Sequence, residues 1–141
     1  MDTPLISVIM PAYNCARMIR TSIDSALAQD VPLEVIVIND GSTDSTGEIL
    51  AGLKKDFPQL KIVTRHPPRS GKGKGFVLND ALTLSQGEII GVFDADTQIK
   101  TDYLMTIVQY LNGDIDGVQS RVKMFNKNEN FLARMQHVEF A

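Results

Sequence analysis

Four short apolar runs, each followed by a polar turn and then by a stretch with helical spacing, constrain this chain more than any other feature. The runs cover residues 5–10, 33–38, 60–64 and 88–93. Each is too short for a helix and reads as a strand. The first, Leu5 to Met10, is nearly continuously apolar and reads as buried on both faces of a sheet. Between them, Ile19, Ile23, Ala26 and Leu27 mark a helix over about 16–28. Ile49, Leu50 and Leu53 mark a second helix, with Ser45 and Glu48 spaced as a capping box. Val77, Leu78, Ala81 and Leu82 lie along one side of a third, over about 74–85, which Gly87 is expected to end. A fourth helix is expected over 101–111, a fifth strand over 117–122, and a helix from Asn130 onward through Phe131, Met135 and Val138. Strand and helix in alternation predict an α/β fold, a doubly wound and mainly parallel sheet with helices on both faces.

The chain has 141 residues, which suits one domain able to bury a core of its own. Fourteen basic against seventeen acidic residues leave a net charge of -3, which gives no general attraction to nucleic acid or to an anionic membrane. A polyanionic ligand would need a local basic site or a metal. No apolar run approaches the roughly 20 residues of a membrane span, and no signal peptide is visible at the N-terminus. A single cysteine, Cys15, excludes an internal disulfide and fits a reducing compartment.

Sheets of this kind bind ligands beyond the carboxyl ends of their strands. Those ends carry the polar residues of this sequence. Pro11, Ala12, Tyr13 and Asn14 follow the first strand, and Asp40, Gly41, Ser42, Thr43 and Asp44 follow the second. Arg65, Arg69, Lys72 and Lys74 follow the third, and Asp94 and Asp96 the fourth. Two carboxylates spaced i, i+2 at a strand end can face one crevice, where they would repel each other. A hard divalent cation, Mg2+ or Mn2+, removes that penalty and commonly adds substrate phosphates to one or two protein carboxylates. Two solvated turn aspartates are the plainer alternative. Asp40 is placed to accept from a ring N–H or a ribose hydroxyl, or to serve only as a turn residue.

The run Gly71-Lys72-Gly73-Lys74-Gly75 lacks P-loop spacing, yet a Gly-Lys stretch opening a helix can hold an anion. A solvated loop accounts for it equally well. Cys15 reads as a partly buried structural residue, since neither His66 nor His137 is its sequence neighbour. Neither histidine has metal-ligand spacing.

Residues 7–14, 37–44, 73–75 with Leu78-Asn79, and 93–96 together resemble the family 2 inverting glycosyltransferases of the GT-A fold. Residues 117–122, with Asn126, Phe131, Gln136, Glu139 and Phe140, are similar to the next part of processive β-glycosyltransferases such as cellulose, chitin and hyaluronan synthases. The resemblance implies a Rossmann-like nucleotide-sugar-binding half. It implies sugar transfer from a nucleotide diphosphate donor, often a UDP-sugar, to a hydroxyl of a carbohydrate or lipid-linked acceptor, with polysaccharide synthesis as one setting. It places Pro11, Ala12, Tyr13 and Asp40 at the base and Lys74 near the diphosphate. Asp94 and Asp96 would contact donor ribose, diphosphate and metal. The family's general base comes from a later acidic motif, and its processive members add Gln-x-x-Arg-Trp. Neither occurs here, and there is no tryptophan. The expectation is therefore a truncated single domain, 1–141, that holds a donor and lacks the base. Its expected location is cytoplasmic, or the cytoplasmic membrane face through segments outside this chain.

Two other readings compete. Asp94-Ala95-Asp96-Thr97 also fits the D-x-D-x-T nucleophile motif of haloacid-dehalogenase-like phosphatases, although that motif normally follows the first strand of its fold. A nucleotide-binding module without catalysis is the second.

Overall fold

The computed structural model describes residues 3–111, 113–124, 129 and 135. Two compact units divide the chain, Met1–Thr106 and Ile107–Ala141. The sheet lies wholly in the first.

The elements run β1 (Ile6–Ala12), α1 (Ile19–Leu27), β2 (Leu33–Asn39), α2 (Thr46–Asp56), β3 (Leu60–Thr64), α3 (Lys74–Leu84), β4 (Ile89–Val92) and α4 (Tyr103–Tyr110). The four strands form one parallel sheet in the order β3-β2-β1-β4. The chain thus steps outward from β1 to β3 and then returns past β1 to β4. Right-handed crossovers put α1 and α2 on one face during the outward steps and α3 on the other during the return. Packing agrees: α1 meets α2 and β2, and α2 meets β3. On the opposite face α3 meets β1 and β2, through a cluster of Ile9, Ile36, Ile38, Val77 and Ala81 with Val63 and Leu78 against it. Val8, Met10, Val35 and Val37, which alternate with that set, are buried on the α1–α2 face. β1 is doubly covered, as its apolar run predicts, and so is β2.

Several expectations fail, each for a physical reason. β4 is an edge strand, and Ile90 and Val92 are 38% and 47% exposed. Pairing of Ile9 with Val92 puts them on the α3 face, but α3 covers only β1 and β2. Leu82 is 54% exposed, because Val77 and Ala81 fill the contact of α3 with the sheet and the next residue turns away. Residues 117–122 form no strand. Val118 and Val122 are exposed, and the remainder of the run is polar or glycine, so nothing drives it into a ladder. The helix expected from Asn130 onward lies outside the described residues.

Gly87 is not a helix cap. α3 ends at Leu84, with Ser85 extended and its hydroxyl donating to Ala81 O at 3.0 Å. Gly87 instead lets two chain segments touch. A Cβ there would lie 2.5 Å from Ser7 N and 2.8 Å from Leu5 O. This contact belongs to a polar lock at the amino end of the sheet. Ser7 and Glu34, register partners on β1 and β2, share a 2.6 Å bond from Ser7 Oγ to Glu34 Oε1. Gln86 N–H donates to the same carboxylate oxygen at 2.7 Å, and Gly87 N–H donates to Ser7 Oγ at 2.8 Å. Lys61 Nζ on β3 lies 2.5 Å from Glu34 Oε2. Burial pushes the Glu34 carboxyl up, but the bonds from Lys61, Ser7 and Gln86 outweigh it and hold it below its usual 4.5.

A depressed folded value contributes stability above the unfolded value, and that contribution is lost as pH falls through the folded one. Urea unfolding should therefore show Glu34→Ala less stable than wild type by about 3 kcal/mol near neutrality, with the gap narrowing below the ordinary glutamate range. Gly87→Ala should destabilise at every pH, since its Cβ meets backbone on both sides.

Candidate functional site

The carboxyl ends of β1, β2 and β4 and the loop after β3 border one open crevice. Its two halves meet at the end of β1. One half, of about 550 Å³, is lined by Pro11, Ala12, Tyr13, Asp40, Gly41, Ser70, Gly71, Gly73, Lys74, Val77 and Asp94. The other, of about 490 Å³, is lined by Pro11, Tyr13, Asn14, Cys15, Ala16, Arg17, Met18, Asp44, Asp94, Ala95 and Asp96. The first half brings together six of the seven sequence-predicted site residues, and Asp96 lies in the second.

Asn14 stitches the loops after β1 and β2. Its left-handed backbone (φ 47°) turns the side chain toward the second loop. There Asn14 Oδ1 accepts from Thr43 N–H at 2.7 Å and Asp44 N–H at 3.3 Å, while Ser42 Oγ accepts from Asn14 N–H at 3.0 Å. Asp44, not Ser45, opens α2. Its carboxylate accepts from Thr46 Oγ1 at 2.5 Å, Thr46 N–H at 3.0 Å and Ala16 N–H at 3.2 Å. The Thr46 hydroxyl, first among these, lowers the Asp44 pKa. Ser45 makes no side-chain cap bond, so the capping box with Glu48 does not form.

Asp40 sits at the mouth of β2, its N–H bonded to Ala12 O at 2.8 Å. Beneath it Arg65 is 5% exposed. Arg65 Nη1 lies 3.3 Å from Asp40 Oδ1, and Nε lies 3.4 Å from Asp80 Oδ2 on α3. Charges are in contact, but these approaches lack hydrogen-bond direction: Asp40 Oδ1, Arg65 Nε and Arg65 Nη1 are buried without a hydrogen-bond partner among the described residues. Gly71 N–H donates to Asp40 Oδ2 at 3.2 Å and ties the glycine-rich loop to this carboxylate. Tyr13, 62% exposed, presents its ring beside Asp40 as part of the same wall.

Gly73 precedes α3 with φ 100°, a conformation that a side chain would strain. That turn sets Lys74 at the first position of α3, where its ammonium pairs with Asp94. Both side chains are more than half exposed, so the pair contributes well under about 1 kcal/mol and separates readily.

Asp94 and Asp96 are both exposed and flank the buried Ala95. Their segment is held from below by α1. Ser22 Oγ donates to Ala95 O at 2.7 Å, and Ile99 N–H donates to Ser25 Oγ at 3.2 Å. Gln29 Nε2 donates to Lys100 O at 2.7 Å, and Leu104 N–H donates to Gln29 Oε1 at 3.0 Å. The Phe93 and Tyr103 rings pack in a T-shape, 5.8 Å between centroids. Reading α1 only for its apolar stripe misses Ser22, Ser25 and Gln29. Ser22 and Ser25, at i and i+3 on the helix, were the available signal; Gln29 lies past its end.

Among the described residues no group of three His, Cys, Asp or Glu could hold a metal. Two carboxylates opening onto a crevice fit a hard cation that takes its other ligands from phosphate and water. Cys15 is half-buried, and burial raises its thiol pKa. His66 is exposed, and His137 lies outside the described residues.

Residues 7–140 match the family described as Glycosyl transferase family 2. A beta-monoglucosyldiacylglycerol synthase of Nostoc sp. is 37% identical over 98% of this chain, which spans 30% of that relative's length. A chondroitin synthase of Pasteurella multocida is 40% identical over 70% of the chain and 10% of its own length. Among solved structures, the mannosyltransferase PcManGT from Pyrobaculum calidifontis, in complex with GDP-Man and Mn2+, is similar with a TM-score of 0.75 and 34% identity. That match covers 86% of this chain and 36% of the other. Glucosyl-3-phosphoglycerate synthase from Mycobacterium tuberculosis, with Mn2+, UDP and glucosyl-3-phosphoglycerate, is similar with a TM-score of 0.60 and 30% identity, over 79% of this chain and 41% of that one. Neither these relatives nor the position of Asp94 after the edge strand supports the phosphatase alternative. No helix among the described residues is long and apolar enough to cross a membrane. The chain belongs to glycosyl transferase family 2.

Proposed function

We propose that this chain is the donor-binding part of an inverting glycosyltransferase that moves a sugar from a nucleotide diphosphate, with UDP as the favoured nucleotide, to a hydroxyl acceptor. The supporting observation is the crevice itself, which gathers Tyr13, Asp40, Lys74 and Asp94 in one half and adds Asp96 beside Asp94 in the other. The base rests against Pro11, Ala12 and Tyr13. A ring N–H donates to the Asp40 carboxylate, which Arg65 backs from beneath and Gly71 N–H orients. The diphosphate runs toward the start of α3. Lys74 exchanges its pairing with Asp94 for a phosphate oxygen. Asp94 and Asp96 alone would repel a diphosphate; a bound Mg2+ or Mn2+ would supply the positive charge that offsets the departing group.

Asp94 and Asp96 hold that end of the donor, and the loop bonded through Asn14 keeps the base end in place. The acceptor is a carbohydrate or a lipid-linked hydroxyl, in keeping with a chondroitin synthase and a glucosyldiacylglycerol synthase among the relatives. A group that takes the acceptor's proton is required for inversion and has no candidate among these residues.

Calorimetry with UDP, GDP and UDP-sugars, in EDTA and in Mn2+, tests this reading. Manganese should tighten nucleotide diphosphate binding, and Asp94→Ala and Asp96→Ala should each remove at least roughly tenfold of that gain. Equal affinity with and without metal would sink the metal assignment. Asp40→Ala should weaken binding by about 1.5–3 kcal/mol in both conditions, because its bond to the base does not involve the metal. An unchanged affinity would take Asp40 out of the base site.

A further inference from the structure

α1 is amphipathic in an unusual way. Ile19, Ile23 and Ala26 pack into the core, while Ser22 and Ser25 of the helix and Gln29 just past its end face the segment that follows β4. Every bond these three make to that segment goes to its backbone. Ser22 is 1% exposed and Gln29 7%, so their polar atoms have exchanged water for main-chain groups. The first bond falls on the carbonyl of Ala95, the peptide between the two aspartates. The last pair, at Lys100 O and Leu104 N, closes the segment where it enters α4.

Such a clamp has a use beyond packing. Asp94 and Asp96 are exposed, like-charged and set on a strand-to-helix turn, so their mutual repulsion favours any backbone motion that separates them. A cation that needs both carboxylates must work against that motion unless something else fixes the peptide between them. We propose that Ser22, Ser25 and Gln29 are positioning residues that hold the Asp94-Ala95-Asp96 backbone in its cation-ready form. They touch neither metal nor nucleotide. This inference rests on the reading of Asp94 and Asp96 as the metal-holding pair.

The experiment measures affinity of the complete chain for UDP and GDP in EDTA and in Mn2+, taking the nucleotide that binds more tightly. The readout is the ratio of the two affinities, alongside thermal unfolding. Ser22→Ala and Gln29→Leu should cut the manganese enhancement by roughly tenfold or more, as expected for residues that orient metal ligands, while the affinity in EDTA and a cooperative unfolding transition persist. Ser25→Ala, at a half-buried position, serves where a buried variant fails to fold. Asp96→Asn is the control for the metal reading. If wild type shows no enhancement, or Asp96→Asn keeps it, the metal reading fails and the positioning role falls with it. If Asp96→Asn abolishes the enhancement while the α1 variants retain it, or lose affinity equally in EDTA, the clamp is structural only.

Discussion

Everything in the first unit depends on one reversal of direction. The chain lays β2 and β3 to one side of β1 and then returns to lay β4 on the other. Handed crossovers oblige the intervening helices to change face at that point. The loops after β1 and β3 therefore leave on opposite faces, and the crevice opens between them. Because the reversal occurs at β1, the residues just beyond that strand border both halves of the crevice, and Pro11 and Tyr13 line each. The opening follows from chain path, and the side chains then decide what it accepts.

Those side chains set an electrostatic problem. Among the described residues lining the crevice, Asp40, Asp44, Asp94 and Asp96 outnumber Lys74 and Arg17, and the cationic Arg65 is buried beneath Asp40, not offered to the crevice. A crevice of this sign does not attract a diphosphate by charge alone. On the proposed reading, the ligand brings its own cation. That makes the placement of Asp94 and Asp96 relative to each other more consequential than the total charge, and it gives the bonds from α1 their weight.

The order of elements was legible because burial on both faces leaves an unambiguous apolar run, as at β1 and β2. The strand ends were legible for the same reason, since a polar residue directly after such a run has to emerge at the rim. Pro11, Ala12, Tyr13, Asp40, Lys74, Asp94 and Asp96 all border the crevice. What a linear pattern misses is tertiary pairing. Ile90 and Val92 look like core residues until the sheet order makes β4 an edge. Ser22 and Ser25 look like the wet side of α1, and Gln29 like a polar residue past its end, until the segment after β4 lies against them. Gly87 follows a helix like a cap, but its requirement comes from Ser7, 80 residues away along the chain. The pairing of Arg65 with Asp40 and Asp80 likewise joins three separate segments.

The lock of Ser7, Glu34, Gln86 and Lys61 stands at the end of the sheet away from the crevice. A parallel ladder that slipped by one residue would exchange its two faces and scatter the rim residues. By pinning β1, β2, β3 and the approach to β4 at their starting ends, these bonds settle alignment without help from the loops at the other end. The rim is thereby free to vary. Substitutions there can change what the crevice accepts while the scaffold keeps its alignment.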